Sequence, residues 1–272
     1  LSAIPIPSAG PQGPVKWADF GGPELRATVK EGQKAWAALP VSAGWETLKM
    51  SLHDVTRIES ETVVVFGIEG VEYFVPAAFV VPAEPAKDLA VGDAVMASAY
   101  GTRVFGRVTA AGPKVKVKFR FAAGVEEKEL EPTEVFKLDG TLKFGAPVIY
   151  KEDRDPSTGK EGKLRPGQFV STDEGRTWVL GNAGKPQRVP ATAVQALDIR
   201  PHKINDKVWV TRIDEITSAL VQEVLDDGVR YRVKLENGDD ATATLDQVSA
   251  PVTGVTLPAA PASSATPDAP PH

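Results

Sequence analysis

Val91-Gly92-Asp93-Ala94-Val95-Met96-Ala97, then Val104-Phe105-Gly106-Arg107-Val108, then Val115-Lys116-Val117-Lys118-Phe119-Arg120-Phe121, and finally Leu130-Glu131-Pro132-Thr133-Glu134-Val135, follow one another in one short stretch. Apolar residues at every second position put one face of a strand into a core and the other into water. Turn residues separate the runs, and Pro132 marks a corner before the last one. The stretch reads as three or four short strands closing on themselves, with no helical stripe.

The plan recurs along the chain. Gly32-Gln33-Lys34-Ala35-Trp36-Ala37, Gly92-Asp93-Ala94-Val95-Met96-Ala97, Gly145-Ala146-Pro147-Val148-Ile149-Tyr150 and Asn205-Asp206-Lys207-Val208-Trp209-Val210 start at intervals of 60, 53 and 60 residues. Each opens on a residue suited to positive φ or a tight bend, then runs into a short apolar strand. The ends of the units match too. Val75-Pro76-Ala77-Ala78-Phe79-Val80, Leu130 to Val135 and Val189-Pro190-Ala191-Thr192-Ala193-Val194 share a pattern, with Leu245-Asp246-Gln247-Val248 a looser fourth. Their last valines keep intervals of 55, 59 and 54 residues, so two independent landmarks hold one period.

Between the landmarks lie pairs of alternating strands: Thr62 to Phe66 with Val71 to Val75, Val115 to Phe121 with Glu126 to Leu130, Gln168 to Ser171 with Thr177 to Leu180, and Arg230 to Leu235 with Ala241 to Leu245. Asn237-Gly238 in the last pair is a strong hairpin signal. Asp214 to Leu225 has helical propensity, but the repeat register makes it a loop followed by a second strand. Register is preferred here over propensity.

The strand plan resembles Tudor-like domains, the small SH3-like barrels of bent antiparallel strands; Val91 to Ala97, Val104 to Val108, Lys118 to Phe121 and Leu130 to Val135 carry the resemblance. It implies an all-β chain of four tandem small barrels at 29–86, 87–138, 139–200 and 201–250. A Pro/Gly-rich arm (1–28) precedes them and a flexible Pro/Ala-rich tail (251–272) follows. Barrel closure removes the exposed edges of a short-stranded sheet.

Composition narrows the function. There is no cysteine, which removes disulfides and thiolate chemistry. The only histidines are His53, His202 and His272, scattered in sequence, so neither a metal cluster nor a cofactor is expected. A net charge of −5 gives no overall basic footprint. No apolar run is long enough to span a bilayer. The first residue is Leu1 rather than Met, which favours a processed, exported bacterial protein of the cell envelope. No nucleophile elbow, phosphate-cradling loop or His pair stands out, and enzyme activity is not expected.

Several groups of residues are candidates for binding. Tudor-like domains hold methylated cations in aromatic cages. Tyr100, Phe105, Phe119 and Phe121 are the aromatics available in the second unit, but alternation places Phe119 and Phe121 in the core. Ala122-Ala123-Gly124 also replaces the family's aromatic-Gly corner. Lys114, Lys116, Lys118 and Arg120 form the opposite face, with Arg103 and Arg107 on the preceding hairpin, in a stripe suited to phosphates. Glu126, Glu127, Glu129 and Glu131 follow at once and favour pairing across the hairpin; Arg230, Arg232 and Lys234 likewise meet Glu236, Asp239 and Asp240. Trp17 and Phe20 in the arm are open to docking on another subunit or packing on the first unit.

Ser171-Thr172-Asp173-Glu174-Gly175-Arg176-Thr177-Trp178 resembles the Asp box of sialidases and other β-propeller proteins. That resemblance implies a hairpin cap in which Asp and Ser oxygens bond turn amides and Trp packs beneath. Glu152 to Gly159 has oxygen ligands at alternate positions but lacks the spacing of a calcium loop. The expected role is a non-enzymatic scaffold or adaptor that binds proteins, including copies of itself, through Trp17, Phe20, Tyr100, Arg103, Phe105, Arg107, Lys116, Lys118 and Arg120. Nucleic-acid binding by the basic face and carbohydrate binding at the cell envelope are the alternatives.

Overall fold

The computed structural model describes residues 26–42, 44–122, 124–153, 161–213, 215–255 and 257. Trp17 and Phe20, most of the N-terminal arm, most of the Glu152 to Gly159 loop and nearly all of the tail lie outside the described residues.

The strands fall into four consecutive groups. The first holds β1 (Lys34–Ser42), β2 (Gly44–Asp54), β3 (Arg57–Ser60), β4 (Val63–Ile68), β5 (Val71–Pro76) and β6 (Val80–Pro82). The second holds β7 (Ala94–Ala99), β8 (Thr102–Ala110), β9 (Val115–Phe121), β10 (Gly124–Leu130) and β11 (Val135–Lys137). In the third are β12 (Pro147–Lys151), β13 (Leu164–Asp173), β14 (Arg176–Leu180), β15 (Pro186–Pro190) and β16 (Val194–Ala196). The fourth contains β17 (Lys207–Arg212), β18 (Glu215–Leu225), β19 (Arg230–Leu235), β20 (Asp240–Thr244) and β21 (Val248–Ser249).

The fold is all-β, with the strands in five antiparallel sheets. The last three groups are each one sheet, in the orders β10-β9-β8-β7-β11, β15-β14-β13-β12-β16 and β20-β19-β18-β17-β21. A meander of strands thus ends with a short strand that returns to the first. In the first group the order is split into β2-β1-β6 and β3-β4-β5. The bend between β2 and β3 bonds to both halves: Val55 N donates to Gln33 O at 2.9 Å and Thr56 N to Val65 O at 2.8 Å.

The two sequence landmarks meet each other. Gly32, Gly92, Gly145 and Asn205 have φ of 73°, 93°, 78° and 72°, the region that glycine and asparagine tolerate best. Their N–H groups donate to Val55, Val108, Phe169 and Val221 carbonyls, each at 2.8 Å. Single 3-10 turns at Ala77–Phe79, Pro132–Glu134, Ala191–Ala193 and Leu245–Gln247 precede Val80, Val135, Val194 and Val248. Those valines lie opposite Ala37, Ala97, Tyr150 and Val210, each on the strand just after a turn landmark. The period read from the sequence is therefore a cross-strand register.

β18 overrides helical propensity throughout Glu215–Leu225, pairing with β17 on one side and β19 on the other. The loop expected before it is short, because Arg212 already pairs with Glu215.

One buried cluster runs through all four groups, with Trp36, Met50 and Phe66 from the first, Met96 from the second, Tyr150 and Trp178 from the third, and Trp209 and Tyr231 from the fourth. The second group keeps a further core of its own, around Val95, Val117, Phe119 and Leu130. Burying a side chain of this size stabilises by about 1.5–3 kcal/mol, so a core shared between sheets strongly resists their separation. Gly145 shows how close the approach is: a Cβ there would lie 2.4 Å from Met96 Sδ and 3.5 Å from Met50 Sδ. Phe79 packs edge-on against Trp178, their ring centres 5.2 Å apart.

Candidate functional site

The second sheet meets the fourth through β8. Arg103, Phe105 and Arg107 alternate on that strand and face other sheets rather than forming an open stripe. Arg107 is only 3% exposed. Its Nε donates to Gly228 O at 2.9 Å, Nη1 to Gly92 O at 3.0 Å, and Nη2 to both Arg200 O at 3.2 Å and the Tyr231 hydroxyl at 2.8 Å. A guanidinium offers five N–H groups in a rigid fork, and here four of its hydrogen bonds go to neutral oxygens. Arg107 therefore leaves the phosphate-facing set expected from the sequence and becomes a bracket between sheets. Gly228 belongs to the same device: its φ is +83°, and a Cβ would stand 2.8 Å from Arg107 Nε.

His202 closes the junction. Its ring packs edge-on to Tyr231 at 5.8 Å, its backbone N–H donates to the Tyr231 hydroxyl at 3.4 Å, and its Nε2 is buried without a partner. Burial holds its pKa below the ordinary histidine value; Asp206 and Asp198 oppose the shift, while Arg200 and Arg107 reinforce it. His53, on β2, is likewise lowered by burial and meets Ser51 Oγ at 3.0 Å.

Beside the bracket lies an open cleft of about 360 Å³, whose walls include Arg103, Phe105, Arg120, Phe121, Thr244 and Asp246. The Arg103 guanidinium lies 5.1 Å from the Phe105 ring centre, and its Nη1 donates to Gln168 Oε1 on β13. Burial lowers the Arg103 pKa, with Asp246 pulling it back up. Burial raises the Asp246 carboxyl, against the Thr244 hydroxyl and Arg103. Tyr100 stands just outside, with φ of 54° in the turn between β7 and β8. Its ring meets Phe121 at 5.0 Å, its hydroxyl donates to Glu126 at 2.9 Å, and the Lys128 ammonium sits 4.3 Å from its ring centre. That ring already holds a cation of the same chain. Phe119 is fully buried, as alternation requires, whereas Phe121 is only partly covered.

The structure thus brings Arg103, Phe105 and Arg120 together at one cleft, with Tyr100 at its rim, and leaves Lys116 and Lys118, farther along the same face of β9, outside its walls. There Lys114 pairs with Glu131 at 3.2 Å, as the hairpin charges suggest. Lys118 instead pairs with Asp227, from the turn before β19, rather than with Glu127 opposite it. Lys116, exposed, lies opposite Glu129. In the fourth sheet Lys234 meets Asp240 at 3.3 Å, but Arg230 and Arg232 take Asp226 at 2.6 Å and Glu223 at 2.8 Å instead of the hairpin acids. No local pattern marked these partners. The one signal for the bracket was an arginine beside Gly106 in the middle of an apolar strand.

The Asp-box segment forms the expected tight hairpin, with Glu174 and Gly175 at φ of 35° and 77° between β13 and β14. Among the described residues, the bonds expected from the Asp173 and Ser171 oxygens to turn amides do not form. Asp173, its side chain 2% exposed, accepts from Arg188 on β15 at 2.5 Å, and Asp173 Oδ2 and Ser171 Oγ are buried without partners. Arg188 lies opposite Trp178 on the neighbouring strand, within reach of the aspartate. Among the described residues no group of three or more His, Asp and Glu converges on a metal-sized site, and no helix is long and apolar enough to cross a membrane. Compared with protein-family models and with curated proteins, the chain matches none.

Proposed function

We propose that the chain is a non-enzymatic protein-binding scaffold, made of Tudor-like, SH3-like small barrels held in one body by the Arg107 bracket and the shared core. The observation that carries this reading is β10. Among the described residues each meander ends on an edge strand with one side unpaired, namely β5, β10, β15 and β20. β15 carries Pro186 and Pro190 and β5 ends on Pro76, which blunts those edges, and β20 has only 5 residues. β10 has 7 residues and no proline. It supports strand addition, in which backbone hydrogen bonds give affinity and side-chain pockets give specificity.

Glu127 and Glu129 are exposed on β10 and Glu126 is partly so, which favours a partner strand bearing lysine or arginine. Nucleic acid is the poorer fit. Arg107 is buried and Lys114 and Lys118 are paired, which leaves Lys116 and Arg120 beside a row of glutamates. Sedimentation and affinity capture test the reading. Self-association or a captured partner, lost in a Glu127→Lys/Glu129→Lys variant that still folds, supports it. A chain that stays monomeric and captures nothing, or one that captures equally well after charge reversal, contradicts it.

A further inference from the structure

The cleft beside β10 has a charge pattern that points to the partner's chemistry. Arg103 donates a single hydrogen bond among the described residues, to Gln168, although a guanidinium offers five N–H groups. Arg120, on the neighbouring strand β9, is exposed and has no ion pair among the described residues. Asp246 faces Arg103 across the cleft but closes no ion pair with it. Two cations and one acid leave the cleft short of one negative charge, and Phe105 and Phe121 supply an apolar wall. A carboxylate on a short methylene stem meets all of these: its oxygens accept the free guanidinium N–H groups and its methylenes cover the rings.

A dianionic phosphate fits less well, because its second charge would face Asp246 and the glutamates of β10. The position also matters. Gly124 lies opposite Phe121 and Val125 opposite Arg120, so the cleft sits at the hairpin end where β10 begins. We propose that the cleft seats a glutamate or aspartate side chain of a peptide strand that pairs with β10. This rests on the protein-binding reading and adds the partner's pattern, a basic strand followed by one acidic residue.

The test is an NMR titration of the full chain with the acetylated, C-terminally amidated peptide Lys-Val-Lys-Val-Glu-Phe and with its Glu-to-Gln counterpart. The Glu peptide shifts the amides of Arg103, Phe105, Phe121 and Asp246, and the Gln peptide binds about tenfold more weakly. Arg120→Gln, a surface change that leaves the thermal midpoint unaltered, brings the Glu peptide to the Gln level. Equal affinity of the two peptides with shifts confined to β10 overturns the cleft assignment and leaves strand addition standing. Binding of the Gln peptide restored by a free C-terminal carboxylate overturns the side-chain assignment, as does the absence of any cleft shift. Sedimentation and capture by the unmodified chain judge the scaffold reading separately.

Discussion

Arg107 is the residue on which the sheet junction turns. Replacing it with methionine keeps much of the volume but leaves the Gly92, Arg200 and Gly228 carbonyls and the Tyr231 hydroxyl without its donors. We expect Arg107→Met to cost about 3 kcal/mol in urea unfolding. Arg107→Lys should recover only part of that, since an ammonium cannot reproduce the fork. His202 makes the same junction sensitive to acid. Because its folded pKa is lowered, the unfolded chain takes up the proton more readily. Its contribution is complete above about pH 6.5 and declines as pH falls below that value toward the lowered folded pKa. Stability measured from pH 8 to pH 5 should therefore fall on the acid side, and His202→Gln should flatten the fall, leaving the part due to His53. An unchanged profile in that variant would remove His202 from the account.

At the scale of elements, the turn landmarks have a direct test at Asn205, the one non-glycine among them. Asn205→Gly should leave stability nearly unchanged, while Asn205→Val should cost about 1–2 kcal/mol, because a β-branched residue is strained at φ of 72°. Thermal melts of the two variants check this. The strands, their order of appearance and the repeat period were legible in the sequence because each rests on local facts: alternation, a positive-φ turn and a 3-10 corner. The destination of Arg107 was not. In a strand pattern an arginine among valines reads as a solvent-facing residue, and nothing local to Val104 to Val108 says that Gly228 and Tyr231 cover it. The same gap explains Lys118, whose acid lies far away at Asp227 rather than across its own hairpin. Arg103, Phe105 and Arg120 lie together because β8 and β9 are neighbours; Asp246 and Gln168 come from other sheets and left no local trace.

At the scale of the whole molecule, the sheets share one core instead of standing as separate beads. Urea unfolding of the intact chain should follow a single transition, with fluorescence and far-UV circular dichroism coinciding. Arg107→Met should separate the two signals, because the contacts between the second and fourth sheets weaken while the core that joins the rest remains. A body held rigid in this way presents β10 and its neighbouring cleft in a fixed relation, which limits the ordering cost of binding an extended strand. The most direct test is hydrogen exchange by mass spectrometry on the chain alone and with its captured protein partner. Slowed exchange over 124–130 in the complex, with the strands of the shared core unchanged, is the predicted result; protection elsewhere, with 124–130 exchanging as in the free chain, would contradict a scaffold that binds through this edge.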